Sequence, residues 1–440
     1  MHVPTQITVG GSAKRSRIEP AHAGSGVNDF SNMTATKVLL ISGFRIFPTS
    51  TGGHIRTASI TRALARMGYD VRVYSLAGRQ GDYGLRHALP NSYRLDEIEP
   101  NLVEETHLGL GYGLLQTIGR RRDKPRTWQT GLIQKGWVPL RLKRALSEAD
   151  IILSDMPWCP QIPGPWLQKP WFLVSHNLEY RLLEQGTKPY KRVAPWMREL
   201  EAAAPKQFTD ILACAEEDQK FFREHDPTGA KKIPILRGGV DPKAYVASPE
   251  TRERIRAELQ LTEPDTLLVF SGSRFAPNLE ALEMIKAFCA SEVSFLRRER
   301  VRILALGSMG ERAYREGPLI VTGRVPEVLP YFAAADAGLN PIISGSGANV
   351  KLFEYLAARL PVISTQFGVR GTTLQAGVDF VAYAPETFKE AIEHFVHSRT
   401  RREWRGHAES VWQRHRKSCD IEELVKDSLA QLPQFALARA

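Results

Sequence analysis

From Lys37 onward, short apolar runs alternate with stretches in which apolar residues recur every three or four positions. The first run, Lys37-Val38-Leu39-Leu40-Ile41-Ser42, is closed by Gly43 and predicts a buried strand. A loop with Pro48, Gly52 and Gly53 follows. His54 to Met67 then carries Ile55, Ala58, Ile60, Leu64 and Met67 near helical spacing, with Gly68 where a helix stop is expected. Val71 to Ser75 predicts the next strand. Both strands are apolar throughout, as strands are when helices cover both faces of a parallel sheet.

The same unit recurs. Ile151–Ser154, Trp171–Ser175 and Ile211–Cys214 predict strands, and Lys191–Gln207 and Glu216–Glu224 predict helices. Arg237-Gly238-Gly239-Val240-Asp241-Pro242 reads as a linker. The pattern then restarts with strands at Leu267–Ser271, Val301–Leu306, Leu319–Val321, Ala337–Asn340 and Pro361–Ser364. Helices are expected near Asn278–Ala290, Pro326–Ala335 and Gly347–Ala358, and residues 385–431 read as helical. The expected fold is α/β, with two Rossmann-like doubly wound halves joined near residue 240. Residues 1–36 lack periodicity and read as a disordered tail. Residues 37–240, 241–415 and 416–440 are the expected first half, second half and terminal helix.

Composition narrows the class. Apolar residues make up 42% and charged residues 24% of 440, as in soluble globular chains. No apolar run approaches the ~20 residues of a bilayer span. The four cysteines are far apart and form no C-x-x-C pair, which fits a reducing compartment. No apolar signal core follows the amino terminus, so a cytoplasmic setting is expected. The net charge is +11, and Thr106–Leu146 alone holds nine Lys or Arg against one acid, Asp123. This stretch, with Arg120, Arg121, Arg122, Lys124 and Arg126 beside Trp128 and Trp137, is either a solvated basic face or an attractor of anionic lipid or acidic glycan. No nucleic-acid reader motif accompanies it.

In doubly wound sheets, ligands bind at the carboxyl ends of the strands. Four segments fall there. Gly52 and Gly53 either let a phosphate approach a helix N-terminus or serve a turn of positive φ. His176, just after a strand, either donates to a developing charge or plays a structural part. Arg274, following Gly272, either clamps a diphosphate or lies on the surface. The fourth segment is the most specific. Gly345, Ser346 and Gly347 lead into a helix with Lys351 and Glu354 on neighbouring positions. That arrangement suits an anion and ribose hydroxyls, and a plain surface pair is the alternative. D-x-D, H-E-x-x-H and P-loop motifs are missing, and no G-x-G-x-x-G follows the first strand. Metal-dependent sugar transfer, ATP chemistry and nicotinamide chemistry lose support.

Taken together, Phe270-Ser271-Gly272-Ser273-Arg274 with Pro277-Asn278, Val321–Pro326, Tyr331–Asp336, and Gly345 through Lys351 and Glu354 to Thr365 resemble glycosyltransferase family 4. The resemblance implies a GT-B fold, two Rossmann-like domains facing across a cleft. It implies sugar transfer with retention from a nucleotide-sugar, UDP- or GDP-linked, without a cofactor or metal. The acceptor, a glycan or lipid-linked molecule in cell-surface polysaccharide or glycoconjugate synthesis, would bind the first half. The donor would bind the second. Gly53 would approach the diphosphate, His176 the sugar, Arg274 and Lys351 the diphosphate, the backbone around Val325 the base, and Glu354 the ribose. The terminal helix would return to the first half. Many members carry Glu-x7-Glu in the fourth segment. Here Ser346 stands at the first glutamate, which bears on donor-sugar recognition. The alternatives are a sugar-nucleotide 2-epimerase on the same fold and a non-catalytic glycan- or membrane-binding relative.

Overall fold

The computed structural model describes residues 35–49, 52–77, 93–108, 138–157, 159, 161–185, 191–345 and 349–437. In the first half the strands are β1 (Lys37–Ser42), β2 (Asp70–Ala77), β3 (Tyr93–Glu99), β4 (Leu102–Leu108), β5 (Ile151–Asp155), β6 (Trp171–Val174) and β7 (Asp210–Leu212). Its helices are α1 (Gly52–Arg66), α2 (Leu140–Glu148), α3 (Glu179–Gln185), α4 (Ala194–Gln207) and α5 (Glu216–Glu224). The second half begins with α6 (Pro249–Glu258). Its strands are β8 (Thr266–Ser271), β9 (Val301–Leu306), β10 (Tyr314–Glu316), β11 (Leu319–Val321), β12 (Ala337–Asn340), β13 (Val362–Thr365) and β14 (Val381–Tyr383). Between and after them run α7 (Ala276–Ser291), α8 (Val293–Arg298), α9 (Leu329–Ala334), α10 (Val350–Ala357), α11 (Phe388–Ser398), α12 (Arg401–His415), α13 (Ile421–Leu429) and α14 (Pro433–Leu437).

The two sheets have one topology, used twice. The orders are β3-β4-β2-β1-β5-β6-β7 and β10-β11-β9-β8-β12-β13-β14. All neighbours are parallel except β3/β4 and β10/β11, which put an antiparallel strand on one edge. Strand order therefore reverses between β1 and β5, and again between β8 and β12. These are the switch points where doubly wound sheets open a crevice. The central strands explain why such runs are apolar: every residue of β1 after Lys37, and every residue of β5, is buried.

The linker and the chain terminus meet. Val240 pairs with Asp420 in a single parallel bridge. A Cβ on Gly239 would lie 2.7 Å from Leu424 Cδ1 and 2.9 Å from the Cys419 carbonyl, so only glycine fits there. Ile421, Leu424, Val425, Leu429, Leu432 and Phe435 are part of the buried cluster formed by β1, β2, α1 and β6. Phe435 packs on Phe172 at 5.2 Å between ring centroids. Among the described residues, no helix is long and apolar enough to cross a membrane.

Two features differ from the sequence expectation. Gly52 and Gly53 are the first two residues of α1 rather than loop residues, and neither has positive φ. The hairpin β3/β4 is an addition. No residue of its outer strand is fully buried, and β4 buries Glu104 and Glu105 where an apolar pattern would be sought. The predicted tail, residues 1–36, lies almost wholly outside the described residues.

Candidate active site

The carboxyl ends of β1, β5 and β6 carry a buried polar cluster. Asp155, fully buried, accepts from Ser42 Oγ and from Thr57 Oγ1, each at 2.9 Å. His176 Nε2 lies 2.6 Å from Asp155 Oδ1 and 3.3 Å from Thr57 Oγ1. Burial opposes the charge on Asp155. The His176 ring and the hydrogen bonds from His176, Ser42 and Thr57 outweigh it and hold the carboxyl below its ordinary range. His176 is thus oriented through Asp155, and its loop is fixed from behind. Glu201 accepts from the Glu179 and Tyr180 backbone N–H groups at 2.6 and 3.2 Å, tying down the first turn of α3.

A second buried carboxylate shapes the loop into α1. Glu104 accepts from Ser75 Oγ at 2.6 Å and from the backbone N–H groups of Ile46 and Phe47 at 2.7 and 3.0 Å. At the start of α1, His54 stacks on Phe44 at 4.8 Å. Burial pushes the His54 imidazole down to about 4. Asp155 opposes the shift, and His176 and Arg324 reinforce it, so His54 is neutral at pH 7. Arg324 belongs to the second half.

That half contributes the start of α10. The loop before it is pinned at both ends, where Asn349 Nδ2 donates to Asn340 Oδ1 at 2.9 Å and Asn340 Nδ2 to Ser364 Oγ at 3.0 Å. Within it Gly345 has φ +110°, and a Cβ there would lie 3.6 Å from Arg370 Nη2. Lys351 is half-buried. Its Nζ donates to Asn278 Oδ1 at 2.9 Å and sits 5.0 Å from the Phe270 ring centroid. Burial lowers the Lys351 amine to about 7, Arg370 adds to the shift, and Glu354 opposes it. Glu354 is buried and accepts from the Tyr245 hydroxyl at 2.8 Å. Burial raises it to about 7, against the pull of Tyr245 and Lys351. Lys351 and Glu354 are therefore not the plain surface pair that helical spacing also allowed. Gly272 makes room for Asn278, whose Cγ would lie 2.9 Å from an added Cβ.

The two groups approach each other. A Cβ on Gly52 would lie 3.7 Å from Val350 Cγ2, so the N-termini of α1 and α10 meet. The positive ends of both helix dipoles converge there, beside Lys351, Arg370 and Arg324, an arrangement that suits an anion. The start of α1, with Gly52 and Gly53, thus meets the segment that carries Lys351 and Glu354, and His176 lies against Thr57 of the same α1. Val325 is half-buried against the core of the second half. Arg274 is exposed and paired with Glu311 at 2.9 Å. Ser346 and Gly347 lie outside the described residues, as do Arg120, Arg121, Arg122, Lys124 and Arg126. Among the described residues, no three His, Cys, Asp or Glu side chains group to hold a metal ion.

Sequence reading did not single out Asp155, Thr57, Tyr245 or Arg370, and it named Asn278 only as part of the resembling segment. Asp155 follows the run Ile151–Ser154 directly, so the strand-end rule that selected His176 selects it too. The others carry no local signal.

Residues 265–398 match the family model described as glycosyl transferases group 1. No curated protein matches the sequence. Among solved structures, the chain resembles sucrose-phosphate synthase from Thermosynechococcus elongatus, with TM-score 0.62 and 14% identity over 92% of this chain and 100% of that one. WaaG, a glycosyltransferase involved in lipopolysaccharide biosynthesis, gives 0.58 and 18% over 90% and 99%. HepE from Anabaena, solved with UDP and glucose, gives 0.57 and 13% over 90% and 99%. The chain therefore has the GT-B fold, two Rossmann-like domains facing across a cleft, and the second of them carries the group 1 glycosyl transferase match.

Proposed function

We propose that this protein is a retaining glycosyltransferase of the family 4 type. It would move a sugar from a nucleoside-diphosphate sugar to a hydroxyl of a glycan or lipid-linked acceptor. One observation carries the reading: the group 1 match covers the α10 segment, with Lys351 and Glu354, that meets the N-terminus of α1. The presence of UDP and glucose in HepE favours a UDP-sugar donor. In this reading the helix N-termini, Lys351 and Arg274 neutralise the departing diphosphate. Arg274 would leave Glu311, an exposed ion pair that costs little to break. Glu354 receives the ribose and the backbone near Val325 the base. His176, oriented by Asp155, faces the transferring sugar.

The reaction is a front-face substitution. The bond from the anomeric carbon to the phosphate oxygen breaks first, giving oxocarbenium character. The acceptor hydroxyl enters on the same face, and its proton passes to the leaving phosphate. No protein nucleophile is needed. Preorganised positive charge supplies the main rate effect, each such donor being worth ~3 kcal/mol. We further propose cytoplasmic action in cell-surface polysaccharide or glycoconjugate synthesis, peripheral to an anionic membrane through the Arg120–Arg126 segment.

The test is a thermal-shift screen against UDP, GDP, ADP and dTDP and their common sugars, with EDTA present. A ligand at a hundred times its Kd adds ~2.7 kcal/mol of stability. A shift with one nucleotide, followed by NMR assignment of the product's anomeric configuration as retained, is expected. No shift with any of them would overturn the donor site.

A further inference from the structure

The linker between the two halves ends in a single helical turn, Pro242–Tyr245, whose two ends are held by different halves. At one end Asp241 accepts from Arg66 Nη1, in the last turn of α1, at 2.6 Å. Arg66 also pairs with Glu422 of α13 at 3.1 Å. At the other end the Tyr245 hydroxyl donates to Glu354 Oε1 of α10 at 2.8 Å. The Tyr245 ring stacks on Phe332 at 6.4 Å with an 18° tilt and packs against the core of the second half. Burial raises the phenol well above its ordinary range, and the Glu354 charge adds to the shift, so the hydroxyl keeps its proton and donates it to Glu354. An ionised carboxylate offers about four acceptor positions. Tyr245 takes one on Oε1, and no other described residue donates to Glu354 Oε2.

We propose that Tyr245 is a positioning residue that holds Glu354 by one oxygen, leaves the other for the ribose hydroxyls of the donor, and so ties nucleotide recognition to the linker. The inference rests on the donor reading of Glu354 given above.

The groups that face Glu354 are Lys351 on its own helix, Tyr245 from the linker and Tyr355 beside it. Behind Tyr245 stand Asp241 and Arg62 of α1. Of these, Tyr245 and Lys351 pull Glu354 down from the value that burial alone would set. The ionised carboxylate accepts from the ribose hydroxyls more strongly than the neutral acid does. Nucleotide affinity should fall as pH drops through about 7. Without the Tyr245 hydroxyl, this acid limb should lie at higher pH.

Calorimetric titration of the full chain with UDP, GDP and ADP, from pH 5.5 to 8, tests this. The wild type should bind one of them. Tyr245→Phe keeps the ring and its packing, so the protein stays folded at the temperature of the titration, its melting temperature lowered only by the one hydrogen bond lost to buried Glu354. Its affinity at pH 6.5 should fall about tenfold, as expected for a hydrogen bond to a charged group, and the acid limb should move upward. Glu354→Gln should lack the limb, and adding Tyr245→Phe to it should change nothing more. Unchanged affinity and pH profile in Tyr245→Phe would overturn the inference. Tighter binding would overturn it too, because Tyr245 would then compete with the donor. If the wild type binds none of the three, the donor reading itself falls, and the role of Tyr245 with it.

Discussion

Lys351 is a cation kept in a place that disfavours cations. Burial and the neighbouring Arg370 lower its amine to about 7, while Asn278 supplies only a neutral acceptor. An arriving diphosphate would supply the missing anion, so the ammonium form is the one that binds. Because the amine pKa is lowered, that form is present below about 7 and lost above it. The pH profile of kcat/KM, which reports the free enzyme, should therefore fall on the alkaline side. Lys351→Arg should remove that limb, since arginine does not deprotonate there. Lys351→Met should lower the rate about a hundredfold. Its thermal stability should not fall, because burying an amine against a neutral acceptor is itself costly. Persistence of the alkaline limb in Lys351→Arg would assign it to another group. Lys351 and Glu354 are recognisable in sequence because a glycine-rich turn between an apolar strand and a helix announces the anion end of a doubly wound sheet. Tyr245 is not, because its partner is 109 positions away and only packing joins them.

At the scale of elements, the parallel strands are legible because both of their faces are covered, which leaves unbroken apolar runs such as Val38–Ile41. The β3/β4 hairpin is not. Glu104 is buried because it binds the Ile46 and Phe47 backbone and Ser75, a tertiary reason that no local pattern carries. Two glycines distinguish direct contact with the site from action through the linker. At Gly272, an added Cβ would press on Asn278 at 2.9 Å and on Met309 Sδ at 3.1 Å, moving the acceptor that steadies Lys351. Gly272→Ala should lower nucleotide affinity at least tenfold and cost about 1–3 kcal/mol of stability. At Gly239, the added Cβ meets Leu424 and Cys419, where the linker crosses the chain terminus. Gly239→Ala should cost a similar ~1–3 kcal/mol, and since the same linker carries Tyr245, its affinity should fall, though less than in Gly272→Ala. Denaturant titration beside calorimetry reads both. Equal losses of affinity in the two variants would show that the site simply follows global stability.

For the whole molecule the open matter is where its charge of +11 acts. Part of the basic stretch is balanced by its own surroundings. On α2, Arg141 pairs with Glu105 at 3.3 Å and stacks over Tyr93, and Arg144 pairs with Glu148 at 2.6 Å. The same helix buries Leu142, Ala145 and Leu146 against the first sheet, so it is part of the fold. Arg120, Arg121 and Arg122 have a single acid, Asp123, within the stretch. If the protein works at an anionic membrane, these three should dominate the attraction, at ~1 kcal/mol per cation. Co-sedimentation with vesicles of phosphatidylcholine and phosphatidylglycerol should then weaken about a hundredfold in the triple alanine variant, and only slightly when Arg141 and Arg144 are replaced. Binding should also fall with added salt, as the Debye length shrinks from ~10 Å at 0.1 M toward ~3 Å at 1 M. A triple variant that sediments as the wild type does would locate the membrane contact elsewhere. The basic stretch would then be left for an acidic glycan acceptor, whose binding the same variant should weaken in the absence of vesicles.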